Sequence, residues 1–144
     1  MLVSNILKSK QVNDIVTVGP DTTVADAAKM LSSKKIGTVV VSPDGRHAAG
    51  ILSERDIVRE IGQNGSACLS ATVDTIMTSK LVTCTSKTTN EDVLQQMTDG
   101  RFRHMPVVDD GILIGLISLG DVVKAQLTEL AREKEALTGM IMGH

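Results

Sequence analysis

The feature that most constrains this chain is that it is written twice. Gly50-Ile51-Leu52-Ser53-Glu54-Arg55-Asp56 returns as Gly115-Leu116-Ile117-Ser118-Leu119-Gly120-Asp121. Each copy reads as the end of a buried strand running into the first turn of a helix. A Ser stands where it caps the helix N-terminus, and an Asp stands three residues on, where its carboxylate meets free N–H groups and the positive end of the helix dipole. Either copy alone is satisfied by a capping box, worth on the order of 1 kcal/mol with no ligand present. Two copies, each leaving a strand end after a Gly, place two helix N-termini where anionic ligands bind.

The rest of the chain is doubled as well. Val3-Ser4-Asn5-Ile6-Leu7 matches Val73-Asp74-Thr75-Ile76-Met77, the apolar spacing of a short helical turn. Val16-Thr17-Val18 matches Val82-Thr83-Cys84, a brief strand of mostly β-branched residues. The first half carries four extra residues between Leu7 and Val16. Thr22 to Leu31 matches Thr88 to Met97, and Val24, Ala27, Ala28 and Leu31 recur at the spacing of a helix with one buried face. Thr23 and Thr89 are its start signals, each three residues before an Asp.

A near-continuous apolar strand follows each helix, Gly37 to Val41 and His104 to Val108, and then a turn at Pro43-Asp44-Gly45 or Asp109-Asp110-Gly111. Asp-Gly between apolar runs predicts a hairpin whose returning strand is the opening motif. Each half therefore reads β-α-β-β-α. Thr83 lies 66 residues after Thr17, and Asp121 lies 65 after Asp56, so the period holds to within a residue. The expectation is an α/β (α+β) module of two repeats, 1–65 and 66–127, packed through their sheets with pseudo-twofold symmetry and followed by a helical extension over 128–144. The polar, Gly-rich run Gly62-Gln63-Asn64-Gly65-Ser66 reads as the linker on the surface.

Composition narrows the function. A net charge of −2 argues against broad binding of phosphate backbones, and a single Phe with no Trp or Tyr leaves little for bases to stack on, so no nucleic-acid partner is expected. No apolar run reaches the length of a membrane span, and the start Met-Leu-Val-Ser-Asn-Ile-Leu-Lys is too quickly polar for a secretory signal. Cys68 and Cys84 fit neither a disulfide framework nor a metal spacing, which reads as two reduced thiols and a cytoplasmic location. His47, His104 and His144 share no ligand spacing, and no nucleophile triad, P-loop or Gly-x-Gly-x-x-Gly is present. No metal, catalytic residue or catalytic cofactor is expected, and the chain reads as a non-enzyme.

The doubled order of Val-x-Pro-Asp-Thr-Thr-Val-x-Asp-Ala (18–27), the strand Gly37-Thr38-Val39-Val40-Val41, Asp44-Gly45 and Gly50-Ile51-Leu52-Ser53-Glu54-Arg55-Asp56 resembles a tandem pair of CBS domains, the motif named for cystathionine β-synthase. The resemblance covers Val3 to about Leu127. It implies a stand-alone pair with two clefts between its halves, and adenosine-containing ligands there: AMP, ADP, ATP, S-adenosylmethionine or NAD. It implies that Asp56 and Asp121 accept the ribose hydroxyls, that Ser53 and Ser118 face sugar or phosphate, and that Arg55 supplies charge in the first site. Gly120 stands at the Arg55 position of the second half, where Arg103 and His104 are the implied phosphate contacts. Ile36 is matched to Arg103 and Gly37 to His104, and Thr17, Thr38, Thr83 and Pro106 complete the implied lining.

The residues alone leave a blander reading open: Arg101, Arg103 and His104 also suit a solvated basic helix end. From Val122 to Ile141 runs one helical pattern, with Val123, Leu127, Leu130, Leu137 and Ile141 at steps of three and four. It predicts a homodimer or partner contact, against the alternative of packing back on its own module. The functional expectation is a nucleotide-sensing regulatory module that signals through conformation or oligomerisation. The alternative is a ligand-free interaction scaffold whose caps are only caps.

Overall fold

β2 (Thr38–Val41) is buried at every position because its apolar residues are covered on both faces. In the computed structural model, which describes residues 1–10 and 15–141, it is the central strand of a three-stranded sheet. β1 (Thr17–Val18) pairs with it in parallel and β3 (Gly50–Ser53) antiparallel, with Thr38 opposite Ser53. In the second half β4 (His104–Asp109) pairs with β5 (Ile112–Ser118), with His104 opposite Ser118. The expected strand at Val82-Thr83-Cys84 is reduced to one bridge, Cys84 with Val107. Its bonds are nonetheless those of β1: the Val108 N–H donates to the Cys84 carbonyl at 2.8 Å, as the Ser42 N–H does to the Val18 carbonyl.

The helices follow their signals. α1 spans Val3–Ser9, α2 spans Val24–Lys34 and α4 spans Asn90–Gly100. The Thr23 and Thr89 hydroxyls accept from the Asp26 and Asp92 N–H groups at 3.1 and 3.2 Å. α3 (Glu54–Asn64) runs through most of the expected linker and stops only at Gly65, whose φ of 74° lies in the region that favours glycine. Residues 62–66 are on the surface as expected, but the first three end α3 and the last two open a 3-10 helix over Gly65–Ser70. α5 runs from Leu119 to Ile141. The four-residue insertion falls partly on residues 11–14, and His144 on the last three; both lie outside the described residues.

The change of period from 66 to 65 has a location. Val41 pairs with Gly50 and Val107 with Gly115, but eight residues separate the first pair and seven the second. The second hairpin closes in a two-residue turn, Asp110 and Gly111 both at positive φ, and absorbs an extra residue at a bulge beside Val108.

The leading segments are exchanged. Val3 and Ile6 of α1 pack in the core of the second half with Cys84, Val93, Met97, Met105, Val107 and Ile117. Val73, with Leu69, Ile76 and Met77, packs in the core of the first half around Val18, Val24, Val39, Val41 and Leu52. The Val3 N–H donates to the Thr88 carbonyl at 2.9 Å and the Val73 N–H to the Thr22 carbonyl at 2.8 Å. At the centre, Thr38 Oγ1 lies 3.3 Å from His104 Nδ1, so symmetry-equivalent residues of β2 and β4 touch.

Candidate functional site

Both repeated motifs form their capping boxes. Ser53 Oγ accepts from the Asp56 N–H at 3.2 Å while Asp56 Oδ2 accepts from the Ser53 N–H at 2.9 Å. Ser118 Oγ accepts from the Asp121 N–H at 3.1 Å while Asp121 Oδ2 accepts from the Ser118 N–H at 2.9 Å. The strands behind them are seated by glycine. A Cβ on Gly50 would overlap Met77 Sδ, and one on Gly115 would lie 2.6 Å from Leu7 Cδ2, so each motif opens where an exchanged leading segment touches the sheet.

The two carboxylates then diverge. Asp56 is buried, and Arg59, one turn along α3, donates to its Oδ1 at 2.6 Å, so both of its oxygens are engaged within its own helix. Asp121 keeps a quarter of its side chain exposed and shares Oδ2 with Lys10, whose ammonium donates at 2.9 Å and also donates to the Leu116 carbonyl at 2.8 Å. Burial pushes the Asp121 carboxyl up, but the Ser118 N–H and the Lys10 ammonium outweigh it and hold the group below the ordinary carboxylate range. Lys10 comes from the end of α1, across the repeat boundary.

Lys10 also forms part of the wall of a cleft of about 420 Å³, with Leu7, Val16, Ile36, Thr38, Gly115 and Leu116 among its lining residues. Both repeats contribute, and the walls are mostly apolar. His104 borders this region: it is half-buried against Thr38 and feels the charges of Asp121, Lys10 and Arg103. Burial, with Lys10 and Arg103, pushes its pKa down against the pull of Asp121, which favours the neutral ring. A neutral imidazole offers a ligand a hydrogen bond.

Ile36, Thr38, His104, Ser118 and Asp121 are thus brought to one region. Gly37 is not: it lines a separate groove with Glu54, Ile57 and Val58, a groove that Ile36 also borders. Thr17 is half-buried and pairs with Val40, Pro106 is buried opposite Leu116, and Thr83, Arg55 and Arg103 are exposed. The expected alignment of Ile36 with Arg103 and Gly37 with His104 is one residue out. Strand pairing sets Thr38 with His104, and the Gly37 and Arg103 carbonyls accept equivalent bonds from Glu54 and Leu119 at 2.9 and 2.8 Å.

Lys10 and Arg59 were missed. The signal for Lys10 was present, since Leu7-x-x-Lys10 and Met77-x-x-Lys80 end the two leading segments alike. Arg59 is simply the residue one turn after Asp56 on the same helix face. No group of three or more side chains arranged to hold a metal occurs among the described residues.

This architecture, two sheets with exchanged leading segments and a cleft between them, is that of a paired regulatory module. The CBS domain model matches residues 3–63 and 73–128, and the chain belongs to the CBS domain family. Over 148 residues it is 38% identical to the mitochondrial CBS domain-containing protein CBSX3 of Arabidopsis thaliana, an alignment covering 98% of this chain and 72% of that one. A crystal structure of a CBS-domain containing protein from Agrobacterium tumefaciens superposes with a TM-score of 0.82 at 42% identity, covering 88% of this chain and 99% of its own. The CBS domain pair of protein MJ0100, solved in complex with 5′-methylthioadenosine and S-adenosyl-L-methionine, superposes with a TM-score of 0.76 at 25% identity, covering 90% and 98%.

Proposed function

We propose that this CBS pair senses an adenosine-containing ligand, of the class AMP, ADP, ATP, NAD or S-adenosylmethionine, in the cleft lined by Lys10, with Asp121 at its edge through the Lys10 ion pair. The observation that carries the reading is a carboxylate held ionised and partly exposed at a helix N-terminus, with Lys10, beside an apolar cleft built by both repeats. Ile36, Val16 and Leu116 provide walls for a base, with Thr38 and His104 as its polar contacts. Asp121 Oδ1 is the oxygen for a ribose hydroxyl, and Lys10, Arg103 and Ser118 are the groups for phosphate. The ligands of the MJ0100 pair, both adenosine derivatives, support this class. Asp56, with both oxygens engaged, makes the weaker site, and Arg55 and Ser53 serve it.

Binding favours one relative arrangement of the halves, and a second copy of the chain or a partner protein reads the difference. The shift is bounded by the ligand's differential affinity for the two arrangements. Two buried free thiols suit a reducing compartment such as the cytoplasm. Among the described residues no helix is long and apolar enough to cross a membrane.

Calorimetric titration of the nucleotide-stripped protein with AMP, ADP, ATP, NAD, 5′-methylthioadenosine and S-adenosylmethionine tests this. Asp121→Ala is expected to weaken the best ligand by roughly 10- to 100-fold, the loss of a charge-assisted hydrogen bond, and Asp56→Ala by much less. An unchanged affinity in Asp121→Ala overturns the ribose role. The exposed apolar face of α5 favours the scaffold reading, which would stand instead if no adenosine compound bound at millimolar concentration.

A further inference from the structure

Beside the cleft lies a larger groove, of about 960 Å³, between α1 and one face of α5. Asp121, Lys124, Thr128 and Arg132 line it from α5, and Lys8 and Lys10 line it from the end of α1. The four α5 residues follow one another at steps of three, four and four, so they share one side of the helix. Lys10 lines both the cleft and the groove, whereas Asp121 lines only the groove. The two spaces therefore adjoin at the Lys10–Asp121 ion pair.

The charges of the groove are unevenly paired. Asp121 is held by Lys10 at 2.9 Å, and Glu129 by the Met1 ammonium at 2.8 Å with its second oxygen buried. Lys8, Lys124 and Arg132 are exposed and have no ion-pair partner among the described residues, and of the groove's carboxylates only Glu133 is left to oppose them. In a chain of net charge −2 this is a local surplus of positive charge, and it begins where the cleft ends. A cation already engaged exchanges one partner for another when an anion arrives; these three take an anion without that loss.

We propose that the groove takes the polyphosphate of the ligand whose base fills the cleft, so that this chain selects nucleotides with two or more phosphates, such as ADP and ATP, over AMP and S-adenosylmethionine. This role of the groove rests on the adenosine reading and narrows its ligand. A ribose held at Asp121 has already reached the edge of the groove, and a chain of phosphates is the part long and anionic enough to meet the unpaired cations beyond it. Along α5, Lys124 stands about 4.5 Å and Arg132 about 16 Å past Asp121, and long helical side chains lean back toward the N-terminus. Lys124 therefore comes first and Arg132 last, within reach of the terminal phosphate of ATP. AMP ends at its first phosphate, and S-adenosylmethionine brings a sulfonium cation into a field of the same sign.

Calorimetric titration of the nucleotide-stripped full chain, without divalent cations, with AMP, ADP, ATP, S-adenosylmethionine and inorganic tripolyphosphate tests it. Affinity is expected to rise from AMP through ADP to ATP by about tenfold or more, with S-adenosylmethionine weakest. Lys124→Ala/Arg132→Ala is expected to remove that rise, lowering ATP affinity about tenfold while AMP stays within about twofold. Glu133→Gln, which takes away the opposing carboxylate, is expected to raise ATP affinity by about two- to threefold. AMP or S-adenosylmethionine binding as tightly as ATP overturns the proposal and leaves the adenosine reading standing. So does a double variant of unchanged far-UV circular dichroism that binds ATP as the wild type does or loses AMP and ATP equally, or a Glu133→Gln variant that binds ATP no better than the wild type. If no adenosine compound binds but tripolyphosphate does, and the double variant loses it, the groove stands as a polyphosphate site and only the adenosine reading falls; if tripolyphosphate fails as well, both fall.

Discussion

At the residue scale, Asp121 and Asp56 show how identical motifs acquire different chemistry. Both keep the same capping geometry, but Lys10 reaches Asp121 from another element while Arg59 closes on Asp56 from its own. The Asp121 carboxyl titrates below its ordinary value, so it contributes stability present above the unfolded pKa of about 4 and lost as the pH falls through the folded value. Lys10→Met removes one of the two lowering influences and leaves the Ser118 N–H opposed to the burial that raises the pKa. The Asp121 titration, followed by carboxyl ¹³C chemical shift, is expected to move upward, and the acid-side loss of stability with it; a curve that stays in place would show that Lys10 does not set the charge of the site. The two Ser-x-x-Asp motifs were legible in the sequence as caps and as site candidates. Their inequality was not, because it depends on a lysine 111 positions away in the chain.

At the scale of elements, the helices and hairpins were legible because each carries its own signal: Thr caps, a stripe at helical spacing, Asp-Gly turns. What failed was counting between elements. The one-residue misalignment of Ile36 and Gly37 arose because both helices end in a left-handed residue, Lys35 or Arg101, and the strand start after it is fixed by pairing with Ser53 or Ser118 rather than by composition. The strand at Val82-Thr83-Cys84 shrank to a bridge although its residues favour strands, an override of propensity by tertiary geometry. The seating of the leading segments gives a test at this scale. Gly50→Ala drives a Cβ into Met77 and to 3.0 Å from the Thr78 carbonyl, whereas Gly115→Ala meets only the Leu7 side chain, which can turn away. Gly50→Ala is therefore expected to cost about 1–3 kcal/mol in urea unfolding and Gly115→Ala less; equal costs would mean that the backbone carbonyl is not the limiting contact.

At the scale of the whole molecule, the doubling was plain from the sequence and the exchange was not, since an apolar turn of helix does not say which of two similar cores it will enter. The exchange makes the repeats interdependent. Residues 1–64 alone lack Val73, Leu69, Ile76 and Met77, while residues 65–144 lack Val3 and Ile6. Neither piece is expected to unfold cooperatively by circular dichroism, and mixing the two is expected to restore one transition; a piece that folds alone would show that the borrowed segment is dispensable. The same feature carries an ancestry. Two copies of a single half, each lending its leading segment to the other, would be a domain-swapped dimer with this interior, and joining them end to end near Gly65 turns a meeting of two molecules into an event within one. Halves joined in one chain need not stay identical, and Asp56 paired with Arg59 of its own helix while Asp121 pairs with Lys10 of the other half's leading segment is one such difference.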